Sequence, residues 1–199
     1  LDGREPDMCS LVYTEPLSLE KGTTLRCASF IGDMRKGEIL TLSLSDNKAT
    51  GKPVLGANPR TTLLTNGVRG SLRQSDFEWC TWDNLSSATF TVDLQRVESI
   101  HKVVLGCLTN YGMAVHKPKN LTVEISEDNR RFTQVGQREF SEEAIFRNGN
   151  YVEDVTFTFD KRKARYVRVT AKGFGACPAY HYMRPGQPAR YYFDEIQVE

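Results

Sequence analysis

Hydrophobic and polar residues alternate with a period of two along most of this chain. Phe90, Val92 and Leu94, for example, alternate with Thr91 and Asp93. The segments that share this alternation are 40–45, 90–94, 121–125, 155–159, 166–170 and 193–198. Because successive side chains of a strand point to opposite faces, the alternation predicts β-strands with one buried face and one solvated face.

Segment 100–108 differs from the others because Val103, Val104 and Leu105 are consecutive apolar residues. It is typical of a strand that is covered on both faces. Turn-forming clusters separate the predicted strands at 45–47, 127–129, 148–150 and 185–186. No stretch long enough for a regular helix carries a helical apolar period. The pattern therefore predicts an all-β fold, a sandwich or a barrel.

A break in the alternation divides the chain. Residues 46–59 read DNKATGKPVLGANP and are rich in Gly, Pro and small polar residues. We therefore predict a first module over residues 1–48 and a second over residues 49–199, which suits a length of 199 residues. Because the chain starts Leu1-Asp2-Gly3 without an initiator Met, we expect it to be a fragment of a longer protein.

The balance of charges excludes one class of partner. The chain has 26 basic and 25 acidic residues and a formal net charge of +1. It lacks the broad cationic field that nucleic-acid binding needs, so we expect no nucleic-acid partner. No apolar run approaches the roughly 20 residues of a transmembrane helix, so we expect no membrane span.

The cysteines and histidines give no recognised metal or catalytic motif. Cys9, Cys27, Cys80, Cys107 and Cys177 contain no C-x-x-C pair, which leaves a zinc ribbon without support. We interpret them as buried or half-buried thiols, although one disulfide between the first two stays open because both lie in the N-terminal region. No H-E-x-x-H, G-x-S-x-G or P-loop pattern occurs.

Adjacent acids occur at 142–143 and 194–195. Asp194 lies in a strand-like run, where neighbouring side chains point to opposite faces. The carboxylates of Asp194 and Glu195 therefore do not easily flank one glycosidic bond. We predict that this chain is not an enzyme.

Four segments of the second predicted module resemble a known family. They are LLTNGVRGS at 63–71, TVEISEDNRRFTQVG at 122–136, ARYVRVTAKGFGACPAYH at 164–181 and FDEIQV at 193–198. In this order and spacing they resemble the discoidin, or coagulation-factor type C, domain, in the version of carbohydrate-binding module family 32. The resemblance implies a β-sandwich of the jelly-roll type.

The first predicted module resembles a different domain. LDGREP at 1–6 and LVYTEPLSLEKGTTLRCASF at 11–30 are similar to the small immunoglobulin-like domain that follows the catalytic barrel of bacterial β-N-acetylhexosaminidases, the chitobiases of glycoside hydrolase family 20. The resemblance implies a partial immunoglobulin-like sandwich that is truncated at its start. The two modules together resemble the C-terminal region of such an enzyme, with the catalytic domain upstream.

The resemblance implies a non-catalytic accessory region that binds carbohydrate or supports the upstream catalytic domain. The implied ligands are glycans with terminal galactose or N-acetylhexosamine, and the implied location is periplasmic, cell-surface or secreted in a bacterium. We expect a monomer. Two alternatives stay open: a discoidin-type adhesion module that binds protein or phospholipid, and a module that has lost ligand binding and only stabilises its parent enzyme.

Sugars stack on aromatic rings while their hydroxyls meet planar polar groups. In family 32 modules such residues lie on loops at one end of the sandwich, and the matching loops here are 73–83, 110–118 and 174–190. The candidate carbohydrate-binding residues on them are Arg73, Asp76, Trp79, Trp82, Tyr111, His116, Tyr180, His181, Tyr182 and Arg184. Alternatively, Trp79 packs in the core, and His181 attaches the long loop to backbone carbonyls. The chain departs from many relatives in having no aromatic residue between Met113 and Val115.

The resemblance also implies a structural calcium ion. The matching positions are Leu63, Asn66, Val68, Ser71, Asp194 through its carbonyl, and Glu195. Family members carry an Asp-Gly turn where this chain has Asn66-Gly67, and Ca²⁺ affinity depends on the number of carboxylates, so we expect weakened binding. The alternative is that Asn66 only tolerates the turn and that Glu195 caps a loop.

Overall fold

The computed structural model describes residues 4–19, 23–43, 47–83 and 87–199 of the chain. In the N-terminal part, β1 (Thr24–Ile31) and β2 (Met34–Ser43) form a two-stranded antiparallel sheet. Ile31 pairs with Met34 across a two-residue turn, and Gly32 in this turn has a φ of 57°, which glycine adopts without steric cost. The immunoglobulin-like nature of this part and the division at residue 48 stay predictions.

The remaining strands form one seven-stranded antiparallel sheet. They are β3 (Val54–Gly56), β4 (Cys80–Asp83), β5 (Ser87–Asn110), β6 (Asn120–Ser126), β7 (Thr133–Glu139), β8 (Asn150–Lys172) and β9 (Arg190–Val198). Their order is β4-β9-β5-β8-β6-β7, and β3 pairs with β5. A four-residue helix, α1 (Glu142–Ile145), lies between β7 and β8. The predicted all-β class is confirmed.

The long strands β5 and β8 bring two halves of the sheet onto one core. Their register shifts between Asp93 and Glu98, where Gln95 has a φ of 68°. Such a bulge bends a paired ribbon. Phe90, before the bulge, then lies 6.3 Å between ring centroids from Phe193 on β9, which pairs with the other half of β5. Buried residues of both halves form one hydrophobic cluster, so the sheet closes into a sandwich.

The predicted segments 90–94 and 100–108 are thus two halves of β5, and segments 155–159 and 166–170 are two halves of β8. Val103, Val104 and Leu105 are all buried, as expected for a strand that is covered on both faces. Positions 44 and 45 of the first predicted strand lie outside the described residues.

Asn47 connects the first residues of the sandwich to its last strand. Its Oδ1 accepts hydrogen bonds from the backbone N–H of Ala49 at 2.9 Å and of Val198 at 2.7 Å. Its Nδ2 donates to the carbonyl of Ile196 at 3.1 Å, and the N–H of Lys48 donates to the carbonyl of Val198 at 2.8 Å. The segment that enters the sandwich therefore lies beside the end of β9.

Three connections meet at one end of the sandwich. The N–H of His116 donates to the carbonyl of Arg190 at 3.0 Å, and the N–H of Lys119 donates to the carbonyl of Lys172 at 2.8 Å. Asn150 Nδ2 donates to the carbonyl of Leu72 at 3.0 Å. The loops that hold the predicted carbohydrate-binding residues are thus neighbours.

All five cysteines are free thiols, so the disulfide that the sequence left open is not formed. Cys80, Cys107 and Cys177 are buried, whereas Cys9 is exposed and Cys27 is half-buried. Among the described residues, no helix has the length and apolarity needed to cross a bilayer.

Candidate functional site

Three aromatic rings stack from the core to the surface at the loop end. Tyr111 follows β5 in a short 3₁₀ turn, which closes with the N–H of Ala114 donating to the Tyr111 carbonyl. Its ring lies parallel to that of His181 at 3.8 Å between centroids, and the ring of Tyr182 stacks on it at 5.4 Å. His181 is buried, Tyr111 is 6% exposed and Tyr182 is 69% exposed. The stack therefore holds the outermost ring against a rigid base.

Arg184 is fixed beside this stack. Its Nε donates to the carbonyl of Gly112 at 3.1 Å, and its backbone N–H donates to Nδ1 of His181 at 3.0 Å. The N–H of His181 in turn donates to the carbonyl of Pro178. The loop that carries Tyr182 and Arg184 is thus held by its own hydrogen bonds and by the turn after β5.

Tyr180 and α1 form the other side of this surface. Ser141 caps α1, because its Oγ accepts from the N–H of Ala144. The hydroxyl of Tyr180 donates to a carboxylate oxygen of Glu142, and this acceptor raises the pKa of Tyr180 to about 12. A shallow depression here is lined by Ser141, Glu142, Glu143, Ala144, Phe146, Arg147 and Tyr180. Aromatic and charged groups therefore border the same hollow.

The two buried histidines form a hydrogen-bonded chain. Because Nδ1 of His181 accepts the N–H of Arg184, its proton lies on Nε2, which donates to Nε2 of His116 at 3.2 Å. Nδ1 of His116 then carries the second proton and donates to the carbonyl of Ile145 at 3.1 Å. Every ring nitrogen thus has a partner while both rings stay neutral.

Burial favours this neutral state. Desolvation, followed by the neighbouring His181, lowers the pKa of His116 to about 4. Desolvation also lowers the pKa of His181. Since a charged imidazolium is penalised in apolar surroundings, neither ring offers a positive charge at neutral pH. His116 and His181 therefore support the surface from beneath, without contacting solvent.

The other four predicted carbohydrate-binding residues do not join this surface. Arg73 is exposed, and its guanidinium pairs with Glu38 at 2.9 Å. Half-buried Asp76 accepts the N–H of Ser71 at 3.2 Å. Both side chains lie on the neighbouring loop, which reaches Asn150 through the carbonyl of Leu72.

The two tryptophans are core residues. Trp79 is fully buried, packs with Leu108 and Val115, and donates its indole N–H to the carbonyl of Ser71 at 3.1 Å. Gly70 leaves room for this ring, because a Cβ there would lie 2.4 Å from it. Trp82 is 7% exposed and stacks on Phe90 at 5.7 Å. Neither ring offers a face to a ligand.

Glu195 is the centre of the predicted calcium site. Its Oε2 accepts the N–H of Gly67 at 2.9 Å and its Oε1 accepts Nδ2 of Asn47 at 3.2 Å. Desolvation, which outweighs these contacts, raises the pKa of Glu195 to about 8. A buried carboxylate that pairs with no cation among the described residues is chemically suited to a hard cation such as Ca²⁺.

The neighbouring Asp194 is already paired. Its Oδ2 accepts Nε of Arg69 and the N–H of Gly70, and its Oδ1 accepts the N–H of Glu195 at 2.6 Å. Arg69 also pairs with Asp154. The carboxylate of Asp194 is therefore paired with Arg69. Only the backbone carbonyl of Asp194 is left to bind a metal, which is the ligand that the resemblance implies.

The remaining predicted calcium ligands are closer to solvent. Asn66 is exposed, its Oδ1 accepts the N–H of Val68 at 2.9 Å and its Nδ2 donates to Glu78 at 2.9 Å. Ser71 is exposed and its Oγ accepts the N–H of Arg73. Leu63 and Val68 are half-buried. The side chain of Asn66 thus stabilises its own turn, as in the alternative interpretation.

Sequence reasoning missed α1 and Cys177 as neighbours of the aromatic surface. A signal existed for α1, since Ser141 followed by two acids is typical of a helix N-terminus. No signal in the sequence places Cys177 beside His116, because 60 residues separate them.

The fold is an antiparallel β-sandwich with its long loops gathered at one end. A family model described as the F5/8 type C domain matches residues 55–183, and the chain belongs to this family. No curated protein sequence matches the chain.

Solved structures of similar proteins include several sugar-binding modules. A chitosan-binding module of a chitosanase/glucanase from Paenibacillus sp. IK-5 is 19% identical, with a TM-score of 0.47, over 77% of this chain and 98% of that one. A family 32 module from Clostridium perfringens is 15% identical, with a TM-score of 0.47, over 77% and 98%. A fucose-binding module from Streptococcus pneumoniae is 13% identical, with a TM-score of 0.47, over 77% and 97%.

Proposed function

We propose that the chain is a carbohydrate-binding module without catalytic activity, and that Tyr180, Tyr182 and Arg184 form its sugar-binding surface. The observation that carries this proposal is the stack of Tyr182 on Tyr111 and His181. It presents an exposed ring beside a fixed guanidinium, which is the combination that a pyranose recognises through its C–H face and its hydroxyls.

Preorganisation supports binding at this surface. Arg184 is held by the carbonyl of Gly112 and Tyr180 by Glu142, so a ligand orders few side chains when it binds. The neutral histidines add no charge beneath the stack. Glu142, Glu143 and Arg147 all line the hollow, so the local charges are mixed and suit a neutral or weakly charged sugar.

We base the choice of particular sugars and of a parent protein on the family resemblance of the sequence segments. The ligands are glycans with terminal galactose or N-acetylhexosamine, and the parent is a bacterial β-N-acetylhexosaminidase that acts outside the cytoplasm. The chain is then a monomeric accessory region of that enzyme. The segments at 63–71, 122–136, 164–181 and 193–198 support the sugar-binding class, and those at 1–6 and 11–30 support the parent enzyme.

A glycan array with a matched pair of variants tests the sugar-binding surface. Tyr182→Ala removes the exposed ring, and we expect at least about tenfold weaker binding, which corresponds to about 1.4 kcal/mol. Tyr13→Ala is the control, because Tyr13 is also 69% exposed but lies outside the loops. Equal binding by both variants, or no glycan bound by the unmodified chain, would overturn the proposal.

A second candidate, phospholipid binding, rests on a specific observation. Phe77 is 82% exposed and Leu72 is 51% exposed on the loop beside the proposed sugar surface. Exposed apolar side chains on a loop tip suit insertion into a bilayer surface. Co-sedimentation with phosphatidylserine vesicles separates the two functions. If the chain binds the vesicles, Phe77→Ala abolishes this binding and no glycan on the array is bound, phospholipid binding would replace the sugar proposal.

The calcium ion is a separate proposal, in which Glu195, Asn66, the hydroxyl of Ser71 and the carbonyls of Leu63, Val68 and Asp194 hold the metal. Calorimetric titration with Ca²⁺ tests it, with Glu195→Gln expected to abolish the heat of binding. Asn66→Asp is expected to strengthen binding at least about tenfold, because it supplies a further carboxylate. Absence of heat in both the unmodified chain and Asn66→Asp would exclude the site.

A further inference from the structure

A second group of potential metal ligands lies beneath the aromatic stack and is distinct from the predicted calcium site. Nitrogen atoms of His116 and His181 and the sulfur of Cys177 all lie within 4.8 Å of one another. All three residues are buried, with exposed fractions of 1%, 3% and 0% for His116, Cys177 and His181. They come from two different loops, so the fold alone brings them together.

We infer that His116, Cys177 and His181 form a binding site for a thiophilic transition-metal ion, with Zn²⁺ as the expected occupant. Two imidazoles and one thiolate are ligands that Zn²⁺ prefers, whereas Ca²⁺ and Mg²⁺ prefer oxygen. Three protein ligands leave a fourth tetrahedral position for water or a small ligand.

The spacing of the nitrogens fits such an ion. Nε2 of His116 and Nε2 of His181 are 3.2 Å apart. Two ligands at about 2.0–2.1 Å from a tetrahedral ion lie about 3.3–3.4 Å from each other. In the metal-free chain one proton bridges these nitrogens, and a metal would take its place. A thiolate at about 2.3 Å would lie roughly 3.6 Å from each nitrogen, so the sulfur of Cys177 needs only a small approach.

The surroundings of His116 already suit a metal ligand. Its Nδ1 donates to the carbonyl of Ile145, which leaves a lone pair on Nε2. Metal-bound histidines almost always have such an acceptor for the other ring nitrogen. Phe146 and Phe174 pack around the ring at 5.1 and 6.0 Å between centroids, and this apolar shell excludes competing solvent.

His181 must change its proton position when the metal binds. Its Nδ1 now accepts the N–H of Arg184, but a neutral ring that binds metal through Nε2 carries its proton on Nδ1. The N–H of Arg184 then turns away. Metal binding therefore adjusts the loop that carries Tyr182 and Arg184.

Cobalt substitution tests the site in a way that separates it from the sugar proposal. Co²⁺ added to the reduced, chelator-free chain, both folded and during refolding from urea, is expected to give a thiolate-to-cobalt charge-transfer band and intense tetrahedral d–d bands at one ion per chain. Zn²⁺ should abolish both sets of bands and raise the melting temperature. These readouts need no glycan.

Matched variants assign the ligands. Cys177→Ser should remove the charge-transfer band, and His116→Asn should weaken Co²⁺ binding at least about tenfold. Cys9→Ser and His101→Gln are the controls, and both should leave the spectrum unchanged. An unmodified chain with weak octahedral bands only would overturn the inference even if Cys177→Ser failed to fold. A band that survives in Cys177→Ser or disappears in Cys9→Ser would overturn it as well.

Discussion

The buried histidines and the buried acids of this sandwich accommodate burial in different ways. His116 and His181 stay neutral and are satisfied by a chain of hydrogen bonds that ends on the carbonyl of Ile145. Asp194 keeps a charged partner in Arg69, whereas Glu195 has only N–H donors around it. Neighbouring residues in one strand thus reach opposite solutions, because one has a guanidinium in reach and the other does not.

The two regions differ in the free energy that is lost when one of two buried partners is removed. Removing one member of a neutral hydrogen-bonded pair leaves a buried polar group without a partner, which costs about 1–3 kcal/mol. An ion pair leaves an uncompensated charge when one partner is removed. Stability measurements on the two regions should therefore respond differently to comparable substitutions.

The largest effect is expected at Asp194. Asp194→Ala leaves Arg69 without its buried partner and the N–H groups of Gly70 and Glu195 without an acceptor. Because Arg69 keeps Asp154 as a partner, we expect the free energy of unfolding to fall by about 3 kcal/mol in urea titrations, the lower end of the range for a broken buried ion pair. Asp83→Ala is the control, because Asp83 pairs with Arg190 at the surface and should cost less than about 1 kcal/mol. Equal losses would contradict the distinction.

The pH dependence of stability is the next largest effect, measured with a chelator present. The pKa of His116 is lowered to about 4, so the unfolded chain binds more protons than the folded one between about pH 4 and 6.5, and stability falls as the pH decreases through this range. The pKa of Glu195 is raised to about 8, so the folded chain holds the extra proton, and stability falls as the pH increases from about 4.5 to 8.

These two contributions oppose each other between about pH 4.5 and 6.5. In His116→Asn only the contribution of Glu195 remains, so the free energy of unfolding should decrease as the pH rises through this range. In Glu195→Gln only the contribution of His116 remains, so the free energy of unfolding should increase with pH. Each slope should be at most about 1.4 kcal/mol per pH unit. Urea unfolding across this range measures both slopes. Variants with the same slope as the unmodified chain would refute the assigned protonation states.

The smallest effect is expected for Glu195→Gln at pH 7 without calcium. Because the pKa of Glu195 is about 8, the side chain is mainly protonated there. The amide of Gln is likewise neutral, but its NH2 group cannot accept from the N–H of Gly67 or from Nδ2 of Asn47, so one hydrogen bond is lost. We expect the free energy of unfolding to fall by about 1 kcal/mol. A loss as large as that of Asp194→Ala would mean that Glu195 is buried as an anion.

Much of the sandwich could be predicted because a sheet with one buried face imposes a period of two on its strands. Segment 121–125 shows this pattern and forms β6. Segment 193–198 forms β9, but its predicted solvated face is wrong, because nearly all residues of β9 are buried and the strand is covered on both faces. The alternation did not reveal that 90–94 and 100–108 are one strand, since the bulge at Gln95 depends on contacts with β8. Strand β7 was not predicted, because most of its residues are exposed or half-buried and do not alternate clearly.

The candidate site was predictable only in part. The three predicted loops contain Tyr111, Tyr180, Tyr182 and Arg184, which lie at one end of the sandwich, but they also contain Trp79 and Trp82, which lie in the core. A tryptophan on a loop enters the core when a glycine leaves space for it, and the space beside Gly70 is not visible in the sequence. The same holds for Cys177, whose proximity to His116 depends on the packing of two loops.

The hydrogen bonds of Asn47 and Lys48 to β9 have a consequence for how the sandwich can be joined to other proteins. Because the entry of the chain lies beside the end of the last strand, a host polypeptide could leave and re-enter at nearly one point. Such a unit could be inserted into a surface loop or circularly permuted with a short linker, and the loops at the far tips of its strands would keep their arrangement.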